Sequence, residues 1–282
     1  MKKEDMQPLL EVEEDRELLK SNSNEKSKEK SNGQIIPASC FIKYICCCCN
    51  KYDVTAQEYK IYTKLLKESS ELYDENNPSH ENSLNQFYEK AATIYLKVHP
   101  ECEKNEGLWR VFGFQGDDPR KDFRAGGIFS LKFMNYILVN NEKFALLCFE
   151  KPFFSFALVC IKILFLTRIM LRLISGGKIE VLAETNKVNL CSRKQIKHFV
   201  KALKEDDIIY FELLYLMTVF IYEQYNKDYI EGKKELNVLL IGPIIKTVLF
   251  CFEEALKNGE KKEEIIDNLK REFRITKVVT QS

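Results

Sequence analysis

From residue 55 onward, apolar residues recur at intervals of three and four, which is the spacing of one face of an α-helix. The clearest set is Leu84, Phe87, Tyr88, Ala91, Ile94, Tyr95 and Val98. No run alternates apolar and polar positions as a half-buried strand does, and the chain has only 11 glycines and 7 prolines to punctuate strands with turns. The pattern predicts an all-α fold, with a single globular multi-helix domain over residues 55–259.

Later stretches complete the predicted domain. The sequence is apolar nearly all round from Ile208 to Tyr222, which indicates the central helix of the core. We expect Glu212 within it to be a paired or edge carboxylate rather than a catalytic one. A helix after Pro243 should end near Gly259. A charged helix then opens the C-terminal segment, residues 260–282.

The stretch from Phe153 to Ile174 is the most apolar of the chain and resembles a membrane span in length. At 100° per residue, however, its polar positions share an arc of about 160°; they are Lys151, Ser155, Lys162, Arg168, Arg172 and Ser175. Each cation at the centre of a lipid-spanning helix costs about 2.5–3.5 kcal/mol. We therefore expect a helix of a soluble core with one basic face, which meets solvent or, alternatively, an acidic partner.

The N-terminal region differs in composition from the rest. Residues 1–38 are largely polar and charged, without any apolar residue from Ser21 to Gly33, and this composition predicts a disordered tail. The first 20 residues have no apolar central region, so they do not resemble a signal peptide. We therefore expect a cytoplasmic protein whose thiols stay reduced.

A cysteine-rich segment, residues 39–54, joins this tail to the predicted domain. Contiguous cysteines beside apolar residues and lysines are candidates for reversible S-palmitoylation, and two acyl chains suffice for stable anchoring. The alternative is that the segment packs on the domain as an ordinary apolar piece. The first reading predicts peripheral association with endomembranes through Cys46, Cys47, Cys48 and Cys49.

Charge and motifs exclude several functions. The chain has 43 Lys and Arg against 42 Asp and Glu, a formal net charge of +1, which argues against a general nucleic-acid binder. It has no phosphate-binding glycine loop and no serine nucleophile elbow. The cysteines form no second ligand pair for zinc, so we expect no metal site.

The segment 107–127 carries the densest signals. It contains five of the eleven glycines and the only tryptophan. Gly113 and Gly116 permit backbone geometry or close approach that other residues resist, and Asp118 followed by Pro119 is a good helix N-cap with a first helical residue. Four aromatic residues should anchor the loop in the core; they are Trp109, Phe112, Phe114 and Phe123.

Arg124 is the candidate for chemistry in this loop. It lies beside Gly126-Gly127, where a partner could approach closely, and a fixed guanidinium suits recognition of phosphate or carboxylate. The alternative is that Arg124 pairs with one of the loop acids and only holds the loop together. Composition alone favours this pairing, for which the acids available are Asp117, Asp118 and Asp122.

The same segment resembles the signature of the ELMO domain family. The residues that carry the resemblance, without a gap, are Trp109, Gly113, Phe114, Gln115, Gly116, Asp118, Pro119, Asp122, Phe123, Arg124, Gly127 and Leu131. Weaker similarity extends over roughly residues 40–255. The resemblance implies an all-helical fold and a link to small GTPases.

Two branches of that family differ in function. Compact members act as GTPase-activating proteins for Arf and Arf-like GTPases and require the signature arginine, whereas larger members lack it and serve as scaffolds for nucleotide exchange on Rac. This chain has Arg124 and the size of the compact branch. The resemblance therefore implies an activator without an active site of its own, in which Arg124 acts in trans as an arginine finger and Gln115 and Asp122 shape the loop.

The activator so implied needs no cofactor of its own, because GTP and Mg²⁺ belong to its partner, a GTP-bound Arf or Arf-like GTPase. Two other functions remain open: a non-catalytic adaptor for a small GTPase or a trafficking or cytoskeletal complex, with Arg124 organising the loop for docking, and a membrane-anchored helical protein without a GTPase link.

Two residues depart from the family signature. Ala125 stands where a glycine usually follows the arginine, and an alanine would be strained there if the position needs a positive φ. Lys121 stands where threonine is usual, and it adds a cation that either helps to bind phosphate or faces solvent.

Overall fold

The computed structural model describes residues 55–105, 107–151, 154–174, 179–230 and 241–273. Within these ranges the chain forms helices and no strand, so the predicted all-α fold is confirmed. The predicted tail, residues 1–38, and the segment 39–54 with its four contiguous cysteines lie outside the described residues.

The helices in chain order are α1 (Ala56–Ser69), α2 (Pro78–Leu96), α3 (Leu108–Val111), a 3₁₀ helix (Pro119–Arg124), α4 (Gly127–Asn140), α5 (Glu142–Phe149), α6 (Phe156–Met170), α7 (Ile179–Thr185), α8 (Arg193–Glu205), α9 (Ile209–Ile230), α10 (Ile241–Asn258) and α11 (Lys262–Phe273). The hydrophobic pattern did not predict α5, α7 or α8. The start of α8 has a sequence signal, because Ser192 and Gln195 form a capping box in which each side chain accepts the other residue's backbone N–H.

The start of α2 is set by Pro78, which is the first residue of the helix. A proline is tolerated there because the first backbone N–H of a helix has no intrahelical partner. The Asn77 side chain caps the helix by accepting the backbone N–H of Ser79 at 3.0 Å.

Helix α9 is the central element that the sequence predicted. It packs against α4, α6, α8, α10 and α11, and it buries Leu213, Leu214 and Met217 completely. The expected pairing of Glu212 is confirmed, since its Oε2 lies 3.2 Å from Nζ of Lys262 in α11.

Helix α6 is almost entirely buried, and all its residues except Leu158 and Lys162 are buried. The prediction of a solvent-exposed basic face is therefore wrong at Arg168, which is only 6% exposed. The 3₁₀ helix packs against α6, and Arg168 donates to the carbonyl of Ala125, which directly follows that helix. Periodicity alone cannot indicate such a contact. No helix among the described residues has both the length and the apolar character that crossing a membrane requires.

The last two helices close the domain. Helix α10 begins at Ile241, two residues before Pro243, and ends at Asn258, next to Gly259 as predicted. Helix α11 buries an apolar face, and Phe273 stacks on Phe220 of α9 with ring centroids 4.5 Å apart. The rest of the predicted C-terminal segment, residues 274–282, lies outside the described residues.

Candidate functional site

The loop from α3 to α4 is anchored by its aromatic residues, as predicted. Trp109, Phe112, Phe114 and Phe123 are all buried. Their rings meet Phe87 of α2 and one another at centroid distances of 5.3–6.3 Å, mostly edge to face. This is the preferred geometry for aromatic pairs, so the loop backbone is held on a packed cluster.

The two glycines of the Gly-Phe-Gln-Gly motif have different roles. Gly113 has φ +90°, and a β-carbon there would lie 2.3 Å from the backbone nitrogen of Phe156 at the start of α6. Next to it, the N–H of Ala157 donates to the carbonyl of Phe112 at 3.1 Å. Gly116, by contrast, has open space around the same position and no positive φ, so the expected steric need for glycine is wrong there.

The predicted helix start at Asp118 and Pro119 is confirmed. Pro119 is the first residue of the 3₁₀ helix, and the Asp118 carboxylate accepts the backbone N–H of Arg120 at 3.2 Å. The 3₁₀ helix ends at Arg124, so the cap and the proline determine where the chain that carries Arg124 begins to turn.

A link that the sequence did not indicate ties this loop to α2. Arg120 forms two parallel hydrogen bonds with Glu81 of α2, at 2.9 and 2.8 Å, which is the strong bidentate geometry of guanidinium and carboxylate. The Tyr73 hydroxyl donates to the same carboxylate at 2.6 Å, and its ring stacks on Phe123. These bonds to Arg120 and Tyr73 hold the pKa of Glu81 below its usual value.

The acids nearest Arg124 are occupied by other groups. Asp117 accepts from Arg110 at 2.9 and 3.3 Å, and Asp118 caps the 3₁₀ helix. Asp122 accepts the backbone N–H of Gln115 at 2.9 Å. Burial raises the pKa of Asp122, although the Gln115 N–H and the nearby charge of Arg124 both act in the opposite direction.

Arg124 itself is exposed at the end of the 3₁₀ helix. It makes no hydrogen bond and no ion pair with any residue in the described part of the chain. The pairing that composition favoured is therefore not found. Its neighbour Lys121 is largely exposed, 3.9 Å from Asp118, and Gln115 is exposed on the same loop.

The residues after Arg124 are fixed by this chain's own packing. Ala125 has φ −85° and ψ −39°, so alanine is unstrained there. Its carbonyl accepts from Nη1 of the buried Arg168 at 3.1 Å. Gly127 has φ +59°, and a β-carbon there would lie 2.1 Å from the carbonyl oxygen of Glu71.

The expectation that Gly126-Gly127 leaves room for a partner is wrong. A β-carbon at Gly126 would meet the Ser130 side chain at 2.5 Å, while the carbonyl of Glu71 occupies the space beside Gly127 and accepts the N–H of Ile128 at 3.2 Å. Glycine is therefore needed at these two positions so that the loop can pack against α4 and the end of α1.

Other candidates for chemistry are few in the described residues. Those ranges contain no group of three or more His, Cys, Asp and Glu that could hold a metal ion. The five cysteines within them are free thiols, namely Cys102, Cys148, Cys160, Cys191 and Cys251.

Comparison with known proteins identifies the fold that carries this loop. The sequence model of the ELMO/CED-12 family matches residues 63–234, which is more than half of the chain and includes the whole loop. The chain belongs to the ELMO/CED-12 family. In this ELMO domain the match extends from α1 to just beyond α9.

Curated relatives match this ELMO domain over a short stretch. It is 38% identical over 78 residues to ELMO domain-containing protein C of Dictyostelium discoideum, which covers 28% of this chain and 12% of that protein. It is 38% identical over 74 residues to ELMO domain-containing protein 1 of Bos taurus, covering 26% of this chain and 20% of that one. The chain thus spans a fifth or less of these relatives, and no solved structure matches it.

The ELMO domain therefore presents, at the end of a well-anchored loop, a guanidinium that has no hydrogen bond or ion pair within the described residues. Guanidinium is always charged, and its planar fork matches the geometry of phosphate and carboxylate. Two groups that hold this loop were not found from the sequence, the Arg120–Glu81 pair and Arg168, because both are contacts between residues more than 38 positions apart.

Proposed function

We propose that this ELMO domain is a GTPase-activating protein for a GTP-bound Arf or Arf-like small GTPase, to which it supplies Arg124 in trans. The observation that carries the proposal is the state of Arg124: exposed and without a hydrogen-bonding or ion-pair partner among the described residues, although Asp117, Asp118 and Asp122 are close in sequence. A cation that makes no hydrogen bond or close ion pair with these three acids is available to an external anion.

The proposed mechanism is electrostatic. During GTP hydrolysis, negative charge develops on the β- and γ-phosphate oxygens, and an arginine supplied in trans stabilises it, with an effect of about 10³–10⁵ on the rate. In this proposal GTP and Mg²⁺ belong to the partner. Arg124 contributes two parallel N–H donors, while Gln115 and Asp122 shape the loop.

The loop geometry supports this role because it lowers the conformational entropy that Arg124 loses on docking. Asp122 is fixed to the backbone of Gln115, and Phe123 is buried between Tyr73 and Phe114. A side chain that leaves a fixed backbone loses less freedom on binding than one on a mobile loop. Correct orientation of a catalytic group contributes to the rate in the same way.

Single-turnover GTP hydrolysis on a panel of Arf and Arf-like GTPases tests the proposal. Wild type should accelerate at least one GTPase, and Arg124→Lys, which keeps the charge but not the fork, should lose about 10²-fold or more of that acceleration. Arg110→Lys is the matched control, because Arg110 lies in the same loop, is well exposed and already pairs with Asp117. It should retain most of the wild-type activity.

Binding of the GTP-loaded GTPases, measured in parallel, separates the alternatives. GTP-dependent binding without acceleration by wild type would contradict the activator and leave the non-catalytic adaptor. Equal losses in the Arg124→Lys and Arg110→Lys variants would contradict the finger role, because activation would then not depend on the guanidinium of Arg124 in particular.

We also propose peripheral membrane attachment on the cytoplasmic face of endomembranes through Cys46–Cys49. This proposal rests on the sequence, because the four cysteines lie outside the described residues, and two or more acyl chains would give stable anchoring. Replacing all four with serine should move the protein from the membrane fraction to the soluble one. Cys102→Ser, at a partly exposed free thiol, is the control and should not.

A further inference from the structure

Arg168 in α6 is a buried cation with an unusual set of contacts. It is 6% exposed, and its Nη1 donates to the carbonyl of Ala125 at 3.1 Å. Its Nε is buried without a hydrogen bond, and no carboxylate of the described residues lies within ion-pair distance of it. The one hydrogen bond it makes to the described chain is thus to the residue that follows Arg124.

The burial of the Arg168 charge destabilises the folded state. A buried charge is destabilising unless a counterion pairs with it or hydrogen bonds replace its hydration. Apart from Thr167, the buried residues of α6 around Arg168 are apolar, and a methionine would fill similar space without a desolvation penalty. The charge at Arg168 therefore needs an explanation other than stability of the core.

The contact itself suggests the explanation. Upstream of Arg124, the backbone is fixed by the bond between Asp122 and the Gln115 N–H. Downstream, the first carbonyl after Arg124 is fixed by Arg168, and Ile128 is bound to the Glu71 carbonyl. The Arg168 bond thus sets the peptide plane between Ala125 and Gly126, immediately after the residue whose side chain is presented.

We propose that Arg168 is a positioning residue, which holds the Ala125 carbonyl and thereby fixes the direction in which Arg124 leaves the loop. The proposal rests on the proposed function, since it assigns Arg168 to the same site. It predicts that Arg168 affects the maximal rate of GTP hydrolysis rather than the affinity for the GTPase, because Arg168 is buried and does not reach a docked partner.

Two substitutions and one matched control test this by single-turnover kinetics. Arg168→Met should lower the maximal rate at saturating activator about tenfold, because small misplacements of a catalytic group have large effects on rate, with the apparent Kd changed less than twofold. Arg168→Lys, which keeps the charge and a donor, should fall between Arg168→Met and wild type. Thr167→Val is the control: it removes a buried hydrogen bond to Tyr210 on the same helix without touching Ala125.

Amide hydrogen exchange of the protein alone provides a readout that does not depend on GTPase activation. Exchange at Ala125, Gly126 and Gly127 should accelerate in both Arg168 variants, relative to wild type and to Thr167→Val at equal global stability. If wild type activates no GTPase but this exchange pattern is found, the proposed function fails and the positioning contact stands.

Two results would overturn the inference. One is the same exchange pattern in Thr167→Val and the Arg168 variants, which would mean that Arg168 acts only through general stability. The other is a weaker Kd with an unchanged maximal rate. If Arg168→Met does not fold, Arg168→Lys alone tests the inference. A wild-type rate and a wild-type exchange pattern in Arg168→Lys would contradict the positioning role, because this substitution changes the hydrogen bond to Ala125.

Discussion

Replacing Gly113 with alanine is the sharpest test of how the signature loop is built. Gly113 has φ +90°, and a β-carbon there would lie 2.3 Å from the nitrogen of Phe156 and 2.5 Å from the carbonyl carbon of Ser155. These are backbone atoms at the start of α6, so no side-chain rotation can relieve the overlap. Either α6 shifts or the loop does.

The magnitude follows from three contributions. A positive φ costs a residue with a β-carbon about 1–2 kcal/mol, and loss of the hydrogen bond between Ala157 and Phe112 costs about 1 kcal/mol. Overpacking between the fully buried Phe112 and Phe156 adds about 1–3 kcal/mol. The sum of these is roughly 3–6 kcal/mol, a large part of the 5–15 kcal/mol typical of a folded protein.

Urea unfolding measures this effect, followed by far-UV circular dichroism and by the fluorescence of Trp109, which is the only tryptophan and lies in the aromatic cluster beside Gly113. Gly116→Ala is the matched control in the same motif. No atom lies within 4 Å of its added β-carbon and its φ is not positive, so we expect no loss and a gain of up to about 1 kcal/mol from a less flexible unfolded chain.

The reasoning would be refuted if Gly113→Ala changed the free energy of unfolding by less than about 1 kcal/mol with an unchanged urea slope. It would also be refuted if the two alanine variants lost similar stability. In that case both glycines would be present for a reason other than the packing of the loop on α6.

Two further predictions concern stability rather than activity. Arg124→Ala should change the free energy of unfolding by less than about 0.5 kcal/mol in urea, because the side chain is exposed and has no partner among the described residues; a larger loss would mean that Arg124 holds the loop. Glu81→Gln should cost about 1 kcal/mol at pH 7, since it weakens a partly exposed bidentate pair with Arg120. The pKa of Glu81 is lowered on folding from 4.5, so the pair's contribution is present above that pH and is lost as the pH falls below it. The difference between wild type and Glu81→Gln should therefore shrink in urea titrations from pH 5 to pH 3, and a constant difference would contradict the assigned cause.

Much of the candidate site was predictable because it is local in sequence. The Asp118-Pro119 cap, the 3₁₀ turn and the four aromatic anchors follow from residue types at adjacent positions, and the structure has all of them. The position of Gly113 also follows, because only glycine adopts its φ without cost. Gly116 shows that a motif alone does not predict a steric need for glycine, because a β-carbon at Gly116 meets no steric constraint.

The contacts that hold the loop in place were not predictable, because each joins distant parts of the chain. Arg120 meets Glu81 from α2, and Arg168 meets Ala125 from α6. Helical periodicity put Arg168 on one arc with solvent-facing cations, which was wrong at Arg168 because the chain just after Arg124 packs on it. The short helices α5 and α7 were missed for a related reason, since tertiary packing stabilises short helices more than their own pattern does. That reason does not apply to α8, whose 13 residues carry a helical pattern in which Ile196, Phe199, Val200 and Leu203 are buried.

The amino-acid sequence by itself determined the helical class, the central helix α9 and the loop chemistry, since these depend on spacing along the chain and on the dihedral preferences of glycine and proline. Only the tertiary structure decided which charges are paired. It engages Asp117, Asp118 and Asp122 elsewhere and buries Arg168 under the loop, while Arg124 is left exposed. An ion pair requires atoms within a few ångströms of each other, and this distance is set by how helices pack rather than by separation in sequence.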